Sequence, residues 1–182
     1  MKYQVKVNEE DYIRFNIFHV NHSREGKRAK KMMQLRFPIL SLLLIFTFYI
    51  IGAEKIFLLT ETIFMAVFCV IWCTFLPKIM EKSVRKQIHK MKAGGKLPYH
   101  TDAEIDFQES MIVEKSEQGE VHIKYQDIEN IYLEQDYLYI YFGVAQAFII
   151  PHHCLGEDTE RVVDYVTKKR EEYSSEVNNT GI

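Results

Sequence analysis

Between Phe37 and Leu76 the chain has 30 apolar residues in 40 and only three charges, Glu54, Lys55 and Glu61. The stretch divides into an uncharged run of 17, Phe37 to Ala53, and a run of 22, Ile56 to Pro77, broken only by Glu61. A hydrocarbon core ~30 Å thick asks for roughly 20 helical residues at 1.5 Å each, with a lower limit of about 17. The first run is therefore just long enough and the second is ample. Neither keeps the polar stripe of a surface helix. Two buried core helices in a soluble protein would be the alternative, but the rest of a 182-residue chain could hardly surround them. Gly52-Ala53-Glu54-Lys55 suits a tight antiparallel turn, with Gly52 able to take the positive φ that ends a helix. The expectation is a transmembrane helical hairpin over 37–77. Glu61, close to the connecting turn, reads as an interfacial carboxylate; the other reading is a protonated group between helices.

The flanking charge orients this hairpin. Arg24 to Arg36 carries a net +5 and Lys78 to Lys96 a net +6, whereas the connecting turn has one charge of each sign. Lys and Arg are retained on the cytoplasmic side, so both chain ends are expected in the cytosol of a two-span cell-membrane protein. The apolar stretch starts 36 residues in, without a cleavage site, and so does not read as a removable signal peptide. The overall charge of −2 hides two opposed halves, +10 over residues 1–96 and −12 over 97–182. Candidate contacts to anionic lipid are Arg24, Lys27, Arg28, Lys30, Lys31, Lys78, Lys82, Arg85 and Lys86. Neither basic stretch contains the Phe, Tyr or Trp that a base-stacking surface needs, which argues against nucleic acid.

The remaining sequence reads as a folded domain: 12 Phe and 11 Tyr exclude disorder, and three Cys cannot build a disulfide framework. Strands are expected at Met111–Lys115 and Val121–Tyr125 around a four-residue turn, Ser116 to Gly119, then at Ile128–Leu133, Tyr137–Phe142 and Ala145–Ile150. In Tyr137–Phe142 the alternation sends Leu138, Ile140 and Phe142 one way and Tyr137, Tyr139 and Tyr141 the other, a tyrosine face that can stay half wet. Residues 157–173 switch to helical spacing, with Glu157 and Asp158 at the start and Lys168 to Arg170 near the end. Ser174–Ile182 reads as a frayed tail. At the other end, Lys2–Val7 alternates as a strand. Asn8 caps a helix with Asp11 at the capping-box position, and Gly26 is expected to loosen that helix. A lone first strand is best explained as paired with the later sheet.

These elements define an α+β membrane protein: a two-helix transmembrane hairpin inserted in a cytoplasmic antiparallel β domain, an open barrel capped by a C-terminal helix. Its parts are an N-terminal strand and basic helix (1–36), the hairpin (37–77), a basic juxtamembrane helix and linker (78–98), the β domain (99–173) and the tail (174–182). Strands followed by one amphipathic helix match the pleckstrin-homology-like plan. The order resembles the YcxB-like family of bacterial membrane proteins. The residues that carry the resemblance are His22-Ser23, Ile123-Lys124-Tyr125-Gln126-Asp127-Ile128, Tyr137-Leu138-Tyr139-Ile140-Tyr141 and Phe148-Ile149-Ile150-Pro151. His152 and Leu155 stand where that pattern implies a basic residue and a Phe. The resemblance implies two spans and a pleckstrin-homology-type cytoplasmic domain, and no catalytic residues.

No phosphate-cradling glycine motif or His-Glu-x-x-His is present. Lys92-Ala93-Gly94-Gly95-Lys96 reads as a linker. His152-His153-Cys154 could suggest a metal, but neighbours on a strand exit point apart and His122 would have to join them. His19 and His22 lie one helical turn apart without a third ligand, and Cys69 and Cys73 read as packing residues. No catalytic, metal or cofactor site and no small-molecule substrate is expected. The expected partners are the bilayer and a protein, or a second copy. The expected role is a non-catalytic membrane-anchored module for interaction or regulation, presenting an acidic face that includes Tyr137, Tyr139 and Tyr141. The alternatives are an immunity or accessory subunit of a membrane transport or peptide-export system, and an enzyme dependent on Cys154 and its neighbours.

Overall fold

The structure, a computed structural model, describes residues 1–95 and 99–180. Lys96, Leu97 and Pro98 of the expected linker and the last two residues of the expected tail lie outside the described residues. The chain divides into a helical unit, Asn16–Gln87, and a β unit formed by Met1–Phe15 and Ile88–Ile182.

The first helix, α1 (Glu9–His22), follows the Asn8 cap, and Ser23 then caps α2 (Arg24–Ile50) by accepting the Gly26 N–H at 3.0 Å. Gly26 does not loosen a helix. A Cβ at this position would sit 2.3 Å from the Val20 carbonyl oxygen, so glycine here lets two helical backbones meet closely. The helix α3 (Lys55–Ala93) continues through Pro77, joining the second apolar run and the basic stretch in one element. The two long helices run antiparallel. Phe37 meets Phe68 and Trp72 with ring centroids at 4.6 and 5.9 Å, while Phe48 meets Phe57 at 5.2 Å near the turn. Gly52 takes the expected positive φ there, 84°. Side-chain hydroxyls along both helices bond back to carbonyls four residues earlier, as Thr47 does to Leu43 and Thr74 to Val70, so they need no water. Both helices are long and apolar enough to cross a membrane, with mean hydropathy 1.7 and 2.3 over windows that are 6% and 0% buried. Core helices of a soluble protein would be mostly buried.

The β unit holds two antiparallel sheets. The first has the order β1 (Lys2–Lys6), β2 (Asp102–Phe107), β3 (Met111–Ser116), β4 (Gly119–Lys124). The second is β5 (Asn130–Leu133), β6 (Tyr137–Gly143), β7 (Gln146–Pro151). The first strand does rejoin the later sheet: Tyr3 lies opposite Ile105 and Val5 opposite Ala103. Among the described residues the sheets remain separate and close no barrel. The core collects inward residues of both, among them Val5, Ile105, Ile112, Leu138, Ile140 and Ile150. A one-turn helix α4 (His152–Leu155) leads to α5 (Thr159–Thr180), which buries Val162 and Val166 completely. The hydroxyls of Tyr125 and Tyr165 both donate to the Gln108 carbonyl, at 2.8 and 3.0 Å, and Arg170 donates to the Glu129 carbonyl at 2.7 Å.

Several boundaries differ from the sequence reading. The β3–β4 turn has two residues, Glu117 and Gln118, because Ser116 and Gly119 still pair across the ladder. Tyr125 leaves the expected strand for a 3-10 turn, Tyr125–Asp127, where its ring is fully buried. Glu157 and Asp158 belong to a 3-10 turn before α5. The expected tail is helical to Thr180: from Thr159 onward no Gly or Pro interrupts the helix, and Tyr173 donates to the Glu109 carbonyl at 3.4 Å.

Candidate interaction cleft and basic helix faces

Among the described residues the two sheets end in four edge strands, β1, β4, β5 and β7, and the β unit has a cleft of about 770 Å³ lined by β4 and β7. The strand β4 contributes Val121 and Ile123, and β7 contributes Ala147 and Ile149. The start of α1 adds Tyr12 and Phe15, and Tyr12 stacks on Tyr99 at 4.8 Å. These walls are apolar or aromatic. Besides the phenols of Tyr12 and Tyr99, the titratable groups that line the cleft among the described residues are His100, Glu114 and Asp127. His100 Nδ1 lies 3.4 Å from Glu114 Oε1, both side chains being mostly buried. Glu114 stands opposite Ile105 and two residues from Ile112, both on its own sheet face and both buried, so it is a carboxylate on an otherwise apolar face.

The capping box predicted at Asn8 is formed in full. The Asn8 N–H donates to Asp11 Oδ2 at 2.8 Å and the Asp11 N–H donates to Asn8 Oδ1 at 3.0 Å. The Tyr137 hydroxyl donates to the other Asp11 oxygen at 2.8 Å. Burial, and then this bond to Asp11, push the Tyr137 phenol up to about 12. Further along the chain Glu9 accepts from Lys92 at 2.7 Å, with His89 at 3.3 Å. The Lys92 bond holds the Glu9 carboxyl below its ordinary value, and Glu9 in turn raises Lys92.

The tyrosine row of β6 is covered, which departs from the half-wet face expected. Tyr139 and Tyr141 are 2% and 6% exposed, and Tyr137 is half-buried. Phe15 supplies the cover, with ring centroids 5.5 Å from Tyr139 and 5.7 Å from Tyr141. Burial raises the phenols of Tyr139 and Tyr141 well above their ordinary value. Alternation placed the row correctly, but it could not reveal that a helix would lie across it.

The candidate lipid contacts are all helical. On α2, Arg24, Lys27, Arg28 and Lys31 are exposed and recur at the spacing of one helix face, while Lys30 is half-buried and donates to Asn21 Oδ1 at 3.0 Å. On α3, Lys78, Lys82 and Lys86 are exposed. Arg85 is half-buried and pairs with Glu81 at 3.1 Å. Glu61 is half-buried within the first two turns of α3.

The tempting metal clusters do not assemble. Among the described residues no group of three or more His, Cys, Asp or Glu could hold an ion. His152, His153 and Cys154 form the single turn of α4, and His152 Nε2 is buried with no hydrogen-bond partner among the described residues. His22 stacks on Phe18 at 3.9 Å and lies 3.0 Å from the Phe18 carbonyl. Burial lowers the His19 pKa. Cys69 and Cys73 lie four apart on α3, the first half-buried and the second exposed. The sequence reading missed the cleft. Its one signal was Glu114, which shares a side with Ile112 in the Met111–Lys115 alternation; His100 and Tyr99 gave none.

No curated protein and no solved structure matches the chain. A family match covers about a third of it, from the end of β2 through β7 and α4 into α5. Three of the four motifs that carried the resemblance fall inside this segment, and His22-Ser23 lies outside it. Residues 107–166, which include Glu114 and both cleft strands, are similar to the family described as YcxB-like protein.

Proposed function

We propose that the protein is a non-catalytic, membrane-anchored interaction module: α2 and α3 cross the bilayer as a hairpin, and a pleckstrin-homology-like β unit works in the cytosol. The observation that carries this reading is the pairing of β1 with β2, although α1, α2 and α3 all lie between them in the chain. A single sheet occupies one side of a bilayer, so the chain between its strands must cross an even number of times. Two long helices with bare apolar surfaces supply two crossings. The net charges of +5 before the first span and +6 after the second favour the cytosolic side for both flanks. The exposed basic residues on α2 and α3 then contact anionic headgroups, each adding about 1 kcal/mol near the surface. A four-stranded and a three-stranded antiparallel sheet with a C-terminal helix support the pleckstrin-homology comparison. The acidic β unit would be repelled by the same headgroups, which favours a protein partner over a lipid one.

The test has two arms. Tags at Met1 and after Ile182 should be inaccessible to an impermeant reagent in intact cells and accessible after lysis, whereas a cysteine placed at Ala53 should be labelled from outside. Purification in mild detergent should bring a stoichiometric protein partner. A terminal tag labelled in intact cells, or a protein that stays in solution without detergent, overturns the reading.

A further inference from the structure

We infer that the cleft between β4 and β7 takes an extended peptide segment in which Lys or Arg alternates with apolar residues. The inference rests on the interaction-module reading and assigns its partner's chemistry. A volume of about 770 Å³ falls within the range of ligand-binding clefts, roughly 300–1,000 Å³. Its apolar surface comes from Val121 and Ile123 on one side and Ala147 and Ile149 on the other. Both sets belong to edge strands: among the described residues no strand pairs with the outer margin of β4 or of β7. An added strand at either margin would satisfy open backbone donors and acceptors, while its alternate side chains enter the cleft.

Charge decides the rest of the occupant's chemistry. Among the described residues Glu114 and Asp127 line the cleft with His100 beside them and no Lys or Arg, and residues 97–182 carry −12. Glu114 occupies a sheet face whose neighbours Ile105 and Ile112 are fully buried, where stability alone favours an apolar residue. An anionic ligand such as a phospholipid headgroup would meet two carboxylates. A cationic side chain would pair with Asp127 and share Glu114 with His100, which lies 3.4 Å from it.

The probe is a fluorescent peptide of about seven residues, one strand's length, alternating Lys with Val. It is titrated into the full chain in nonionic detergent and followed by anisotropy and amide exchange. Saturable binding with new protection in β4 or β7 is expected, and Glu114→Gln should weaken it about tenfold. Ala147→Trp fills the cleft without altering charge and should abolish binding; Gln146→Trp at the exposed rim serves if the first variant unfolds. Equal binding of a peptide with Glu in place of Lys overturns the inference, as does unchanged binding to both Trp variants. Protection of β4 that rises with protein concentration alone would make the occupant a second copy and likewise overturns it. If the peptide fails while a protein partner still co-purifies, the cleft assignment falls and the module reading stands.

Discussion

Tyr137 and Asp11 lie 126 positions apart in the chain and meet at 2.8 Å, the phenol donating to a carboxylate whose other oxygen caps α1. One 5%-exposed side chain thus ends a helix and ties it to β6. This contact fixes where Phe15 falls on the tyrosine row, and with it one wall of the cleft.

Asp11→Ala should therefore cost more than an ordinary cap. It removes the acceptor for the Asn8 N–H and leaves the Tyr137 hydroxyl without its partner. A loss of about 2–4 kcal/mol is expected from a cap of ~1 and a buried unpaired donor of 1–3. Denaturant unfolding in detergent measures it, and Asp11→Asn should recover part of the loss. A change below half a kcal/mol would refute the shared role.

The β unit should unfold in alkali. Burial is the first cause of the raised phenol pKa values of Tyr125, Tyr137, Tyr139 and Tyr141, whose ordinary value is 10.0. A folded pKa above the unfolded one contributes stability that is intact below pH 10 and is lost as pH rises through the folded value, about 12 for Tyr137. Stability should be insensitive to these groups up to about pH 10 and fall beyond it. Tyrosinate absorbance should rise together with the loss of tertiary signal. Full ionisation of all eleven tyrosines near pH 10 with the fold intact would contradict this.

Gly26→Ala should destabilise the helical unit although alanine is the better helix former. Its methyl group would meet the Val20 carbonyl oxygen at 2.3 Å, so backbone must shift, at about 1–3 kcal/mol. Thermal unfolding in detergent should register a lower midpoint. An unchanged or raised midpoint would mean that the two helices do not approach closely here.

The pairing of β1 with β2 predicts that the amides of Tyr3 and Val5, the inward-pointing ones of this edge strand, exchange as slowly as those of Ala103 and Ile105. Val5→Asp would bury an unpaired carboxylate at a 2%-exposed position and should release both strands together. Fast exchange at Tyr3 and Val5 in the native chain would remove the argument for an even number of crossings.

Local patterns carried much of this architecture. The two apolar helices, the Gly52 turn, the Asn8–Asp11 capping box and most strands could be read from the sequence because each is decided by residues a few positions apart, where a helical or a two-residue period is enough. The tertiary structure decided what those periods cannot reach. Alternation sorted Tyr137, Tyr139 and Tyr141 onto one side, but only the docking of Phe15 determined that the side is covered. Likewise Glu114 could face either way until the β2–β3 register set it opposite Ile105, since a one-residue slip inverts every side chain of a strand. The meeting of His100 with Glu114, and the cleft between two sheet margins, depend on how distant segments assemble, and no short-range pattern encodes that.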